Sequence, residues 1–114
     1  MIDKRVFDRL EVNLPCTLAL PNDVRTFEAR ILDLSLTGMR LVTNLPLRPG
    51  QTVYFSFVYE MPVKGQARVI WCRQGAKGCE AGLEISHLKK RFKDALQKII
   101  QELTLQNLTD SYCR

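Results

Sequence analysis

Apolar and polar residues alternate along most of the first 85 positions, and the period changes once. Leu10-Glu11-Val12-Asn13-Leu14 has the two-residue period of a half-buried strand. Pro15 marks an edge or a bulge, and Cys16 to Leu20 resumes the strand. Pro21-Asn22-Asp23 predicts a turn, and a second strand is expected from about Thr26 to Leu32, with Phe27, Ala29 and Ile31 on one face. Gly38 opens a third strand over Met39–Thr43. Pro49-Gly50 marks a turn, and Thr52–Val58, rich in β-branched and aromatic residues, reads as a fourth strand that Met61-Pro62 breaks. Val63–Cys72 gives a fifth, in which alternation puts Ala67, Val69 and Trp71 on one face. After the glycine-bearing turn at 74–78 comes a sixth, around Glu80–Ile85.

The period then lengthens. Leu88, Phe92, Leu96, Ile99 and Leu103 recur at spacings of four, four, three and four, the stripe of an amphipathic helix with Ser86 as its N-cap. Six short strands at near-regular spacing argue for a closed antiparallel barrel, which leaves no exposed sheet edge. The expected fold is therefore mainly β: a six-stranded antiparallel barrel over about 10–85, then a helix over about 87–105. An N-terminal arm, about 1–9, precedes it, and a frayed tail, 106–114, follows. The helix stripe is expected to pack on the barrel, with a weak dimer contact as the other use for it.

At 114 residues the chain fits one domain, large enough for its own core. A net charge of +5 favours anionic partners without choosing among them, because much of the excess sits in Lys89-Lys90-Arg91…Lys93. No apolar run is long enough to cross a bilayer, and the first residues lack the apolar stretch of a signal peptide, so a cytoplasmic location is expected. Of the four cysteines, Cys16, Cys72, Cys79 and Cys113, none forms a C-x-x-C pair, and His87 is the sole histidine. Four free thiols and no zinc site are expected. A Cys72–Cys79 bridge across the turn is the alternative.

Two segments carry candidate chemistry. In Lys4-Arg5-Val6-Phe7-Asp8-Arg9, two arginines lie four apart; in an extended chain both point the same way. A guanidinium fork suits phosphate oxygens or the O6/N7 edge of guanine. A solvated basic arm is the plainer use. In Asp33-Leu34-Ser35-Leu36-Thr37-Gly38, Asp33 and Ser35 are expected on one face at a strand end. The carboxylate offers two acceptors, matching the N1–H and N2–H₂ donors of guanine. Gly38 permits a positive φ or a close backbone approach. A serine-capped turn between strands explains the same residues without a ligand.

Taken in order, Arg5-x-x-x-Arg9, Pro15 and Asp33-x-Ser35-x-x-Gly38 resemble the signature of the PilZ domain family, and Val69-Ile70-Trp71 and Ala81-Gly82-Leu83-Glu84-Ile85 resemble its late strands. The likeness covers about residues 3–103. It implies a six-stranded barrel that binds cyclic di-GMP, a bacterial second messenger, with no other cofactor. Arg5 and Arg9 would clamp phosphates and meet guanine, Asp33 and Ser35 would read a guanine edge, and Gly38 would leave room for the base. Binding would reorder the N-terminal arm and change a surface read by a partner protein. Lys4 stands where many relatives carry arginine, which leaves open whether one nucleotide or a stacked pair is bound. Trp71 is either a base-stacking residue or a core residue. Arg40 and Arg73 are either phosphate contacts or solvated strand charges.

The first function class is thus a cyclic di-GMP receptor acting through an effector protein; the second is an adaptor of the same fold that needs no ligand. A barrel for single-stranded nucleic acid is not expected, for want of aromatics interleaved with basic residues. An enzyme is not expected either: one histidine and no nucleophile–base pair offer little to catalyse with, and Glu80 and Glu84 read as solvent-facing.

Overall fold

A computed structural model describes residues 9–112. Six antiparallel strands, β1 (Leu10–Ala19), β2 (Thr26–Leu34), β3 (Gly38–Thr43), β4 (Thr52–Tyr59), β5 (Met61–Gly75) and β6 (Gly78–His87), close into a barrel in the order β1-β2-β3-β6-β5-β4. One helix, α1 (Lys90–Tyr112), follows. Alternation places the core as expected. Leu18, Ile31, Leu41, Val53, Val63 and Val69 are fully buried inside the barrel. Leu96 and Ile99 of α1 join the same cluster, with Phe92 and Leu103 packed partly against it. The helix stripe is thus used within the chain, on β5 and β1.

Two prolines stand inside strands, both where only one neighbour needs hydrogen bonds. Pro15 of β1 pairs with Arg30 of β2, while β4 joins β1 only over Thr17–Ala19. Pro62 pairs with Val58 of β4, and β6 joins β5 only from Gln66 onward. A missing N–H therefore costs neither ladder a bond on its second side. Met61-Pro62 does not break the strand as expected; the chain turns at Glu60, whose φ is 64°. The β5–β6 turn needs Gly78, at φ 117°, where any side chain would also press on the Thr43 carbonyl.

The helix differs at both ends from its expected bounds. Ser86 belongs to β6, where its hydroxyl donates to the Gln66 carbonyl, and so does not cap α1. The first helical amides, of Phe92 and Lys93, donate to the Lys89 carbonyl instead. The helix also runs on to Tyr112, beyond the point where a frayed tail was expected. Cys72 and Cys79 are free thiols. They are offset across the β5–β6 ladder, with Cys72 opposite Ala81 and Cys79 opposite Gln74, and the Cys72 thiol donates to the Leu47 carbonyl at 3.0 Å. Burial pushes the Cys16 thiol up to about 11, so it stays protonated. Among the described residues, no helix is long and apolar enough to cross a membrane, and no three His, Cys, Asp or Glu side chains gather as a metal site would require.

Candidate functional site

The Asp33–Gly38 segment leaves β2 through a tight turn built by one side chain. Ser35 is buried, and its Oγ accepts from the Thr37 and Gly38 amides at 3.2 and 3.0 Å and donates to the Gly38 carbonyl at 3.2 Å. The Ser35 amide donates to that carbonyl at 2.9 Å, and the Thr37 carbonyl accepts from Ile85, pinning the turn to β6. Ser35 is therefore occupied in shaping the loop. Gly38 has no positive φ. Its missing side chain serves the barrel: a Cβ there would run into the Leu83 carbonyl of the neighbouring strand.

A register shift between Ile31 and Asp33 breaks the alternation of β2, so that Leu34 is buried three residues after Ile31. Asp33 then lies directly across from Arg40 of β3, and the Arg40 Nε donates to its Oδ2 at 2.8 Å. The same guanidinium reaches diagonally to β6, where Nη1 meets the Glu80 Oε1 at 2.7 Å. Glu80 in turn lies opposite Arg73 of β5, whose Nε and Nη2 donate to Oε2 at 3.2 and 3.0 Å. Asp33, Arg40, Glu80 and Arg73 thus form a ladder of alternating charge across four strands. Bonds from Arg40 foremost, then Arg73, hold the Glu80 carboxyl below the usual carboxylate range; Asp33 and then Glu80 push the Arg40 guanidinium up. Glu80 is not the solvent-facing group expected, and Arg40 is held between two acids; Arg73 remains a largely exposed strand charge, paired with Glu80. By contrast Glu84 is largely exposed and meets Arg68 only at 3.7 Å.

A second register shift, between Val69 and Trp71, turns Trp71 out of the barrel. Val69 is 1% exposed and Trp71 39%, so the core face expected from alternation ends at Val69. The indole lies across Gly82, where a Cβ would collide with its ring, and the Arg73 guanidinium sits 5.9 Å from the ring centroid. Arg9, Ser35, Gly38, Arg40, Trp71 and Gly82 surround one cleft of about 400 Å³, floored by Met39 and Leu83. Asp33 of β2 flanks it, bonded to the lining Arg40. Lys4 and Arg5 lie outside the described residues, so only the second arginine of the pair is placed. Cationic forks beside an aromatic ring suit a planar base carrying phosphates.

A larger hollow, about 570 Å³, lies among β1, β4, β5 and the start of α1, near Tyr54, Phe55, Leu88 and Phe92. It holds none of the Asp33–Gly38 residues, and its mostly apolar wall is rimmed by Lys64, Lys89 and Arg91.

The family model described as the PilZ domain matches residues 3–102. The chain belongs to the PilZ domain family. Solved structures share the fold of this PilZ domain at low identity. The Bacillus subtilis inhibitor of motility MotI/DgrA aligns with TM-score 0.75 and 16% identity, over 92% of this chain and 53% of that one. Escherichia coli YcgR in complex with c-di-GMP aligns with TM-score 0.72 and 18% identity, over 90% and 47%. The chain thus spans about half the length of these two. The PilZ domain of YcgR, solved with c-di-GMP, aligns at TM-score 0.70 and 18% identity, over 90% and 93%. No curated protein sequence matches the chain.

The roles of Glu80 and Arg40 were not legible in the sequence. Both depend on strand register: Arg40 faces Asp33, and Glu80 faces Arg73, only once β2–β3 and β5–β6 are paired. The available signal was the opposite charge of residues seven apart at each end of a turn, Asp33/Arg40 and Arg73/Glu80.

Proposed function

We propose that this PilZ domain is a receptor for cyclic di-GMP, the nucleotide held in the YcgR structures that share its fold. The observation that carries the reading is the convergence on one cleft of Arg9, the Ser35–Gly38 turn and an outward-facing Trp71. Arg9 and Arg5 hold phosphates, Trp71 stacks on a base, and the Asp33 carboxylate accepts from the guanine N1–H and N2–H₂. Ser35 and Gly38 serve the site by shaping the turn that follows Asp33. Ligand closes the arginine arm over the cleft, and an effector protein reads the altered surface.

Isothermal titration tests this. The wild type binds one or two cyclic di-GMP per chain, and Arg9→Ala and Asp33→Ala each lose roughly 1.5–3 kcal/mol, the worth of a hydrogen bond to a charged group. Absence of saturable heat with folded wild type overturns the reading. Effector binding that ignores both nucleotide and these substitutions points instead to an adaptor.

A further inference from the structure

The acid proposed to read guanine is already held by another residue. Arg40 takes Asp33 Oδ2, and Arg40 itself is held from behind by Glu80, which Arg73 also grips. The Asp33 side chain is 13% exposed and that of Glu80 20%, so this is a half-buried brace rather than a loose surface pair. Two guanidiniums and two carboxylates cancel in charge, so the ladder adds no net attraction for a phosphate. What it supplies is direction. A carboxylate on two rotatable bonds is fixed by one firm hydrogen bond, and an ionised carboxylate has about four lone-pair positions, so acceptor capacity remains for a ligand.

We infer that Arg40, anchored by Glu80, is the specificity-positioning residue of the cleft: it sets the Asp33 carboxylate so that the site selects a base with the two-donor edge of guanine. This rests on the receptor reading above and adds to it a division of labour. Arg9 and Trp71 bind any cyclic dinucleotide of this shape; the Asp33–Arg40–Glu80 ladder decides which base is accepted. Arginine suits the task because its rigid fork places Nε on Asp33 and Nη1 on Glu80 at once. A lysine ammonium is a single point and cannot hold both in fixed geometry.

The test uses two ligands that differ by one group, cyclic di-GMP and cyclic di-IMP, which lacks the exocyclic N2 amine. Calorimetry on the wild type is expected to favour cyclic di-GMP by roughly 10–100-fold, the worth of a hydrogen bond to a charged acceptor. Arg40→Gln weakens cyclic di-GMP more than cyclic di-IMP, which keeps N1–H but has no N2 amine to lose, so the preference falls to about twofold or less, the scatter expected of independent groups. Glu80→Gln, which keeps Arg40 but removes its anchor, lowers the preference in the same direction by a smaller factor, and Arg40→Lys falls between wild type and Arg40→Gln. Thermal melts identify any variant that fails to fold, and Glu80→Gln carries the test if Arg40→Gln does. Equal losses for both ligands would overturn the inference, because Arg40 would then be a phosphate contact. So would a preference unchanged by either substitution. Absence of wild-type binding to cyclic di-GMP overturns the receptor reading itself, and this inference with it.

Discussion

The β3–β6 and β4–β5 ladders run without a break, whereas β1–β2 and β2–β3 carry one register shift each and β5–β6 carries two. The unbroken ladders hold core residues at every second position: Met39, Leu41 and Thr43 on β3, and Val53, Phe55 and Phe57 on β4. The shifted ladders aim two residues of the candidate site, whereas Gly38, Arg40 and Gly82 sit on the regular β3–β6 ladder. Asp33 follows one shift and Trp71 follows another, and each faces away from the position that strict alternation assigns it. Regular pairing builds a core because a period of two keeps one face buried. An extra residue in one strand re-aims the side chain after it, and here it re-aims an acid and an indole.

If that contrast is right, the two regions respond to substitution in opposite ways. The largest effect is expected at Leu41, fully buried on β3, where Leu41→Ala costs about 2–5 kcal/mol in urea unfolding. Nucleotide affinity of the folded protein should be unchanged. Next comes Gly38→Ala, where the new Cβ meets the Leu83 carbonyl and backbone must shift. An overpacked position of this kind costs about 1–3 kcal/mol, read in the same experiment. This glycine belongs to the regular ladder although it lies in the site motif, so the loss should appear without ligand present.

Gly82→Ala separates the regions more sharply. Its Cβ displaces the indole of Trp71, a half-exposed side chain with room to rotate outward. Gly82 is buried under that ring, but the clash is with a side chain rather than backbone, so the stability loss should be smaller than that of Gly38→Ala. Affinity for cyclic di-GMP should fall about tenfold, since a base stack is worth roughly 1–3 kcal/mol. An unfolding loss as large as that of Gly38→Ala would mean that Trp71 belongs to the core after all.

The smallest effect is a difference in acid response. The Glu80 carboxyl sits below its ordinary range, held by Arg40 and then Arg73, so its contribution is present above the unfolded value and lost as pH falls. Glu102 of α1 is opposite in sign: a hydrogen bond with Glu60, and then their like charge, raises it. Two neighbouring carboxylates oppose folding at neutral pH and cease to do so as the pair takes up a proton. Glu102→Gln should therefore raise the melting temperature slightly at pH 7, and the gain should vanish as pH falls below the ordinary value of 4.5. A gain that persists in acid would show that charge is not its cause.

Much of the regular region was legible in the sequence. Alternation located six strands and nearly all the barrel core, and the three-four spacing from Leu88 to Leu103 located the helix face that packs on it. The shifts were not legible, because no residue type announces an extra residue at Leu32 or Ile70; both are apolar and suit a strand. The site was therefore half visible. Asp33, Ser35 and Gly38 stood out as a motif, and Trp71 as an alternative to core. That Ser35 shapes the turn, that Gly38 makes way for Leu83, and that Glu80 links two arginines all depend on pairings between segments far apart in the chain. Helix ends were misread for a similar reason: Ser86 has the chemistry of a cap, but the β6 ladder claims it first.

The chain has a single tryptophan, Trp71, which lines the cleft with its ring turned out of the barrel. The most direct test is to titrate the wild type with cyclic di-GMP and follow heat and Trp71 emission together. Saturable heat and an emission change are expected to reach completion at the same ligand ratio, and in Asp33→Ala both shift to roughly 10–100-fold higher ligand concentration. Saturation of the heat with Trp71 emission unmoved would place the nucleotide elsewhere. Absence of both would contradict the central claim that this cleft is a nucleotide site.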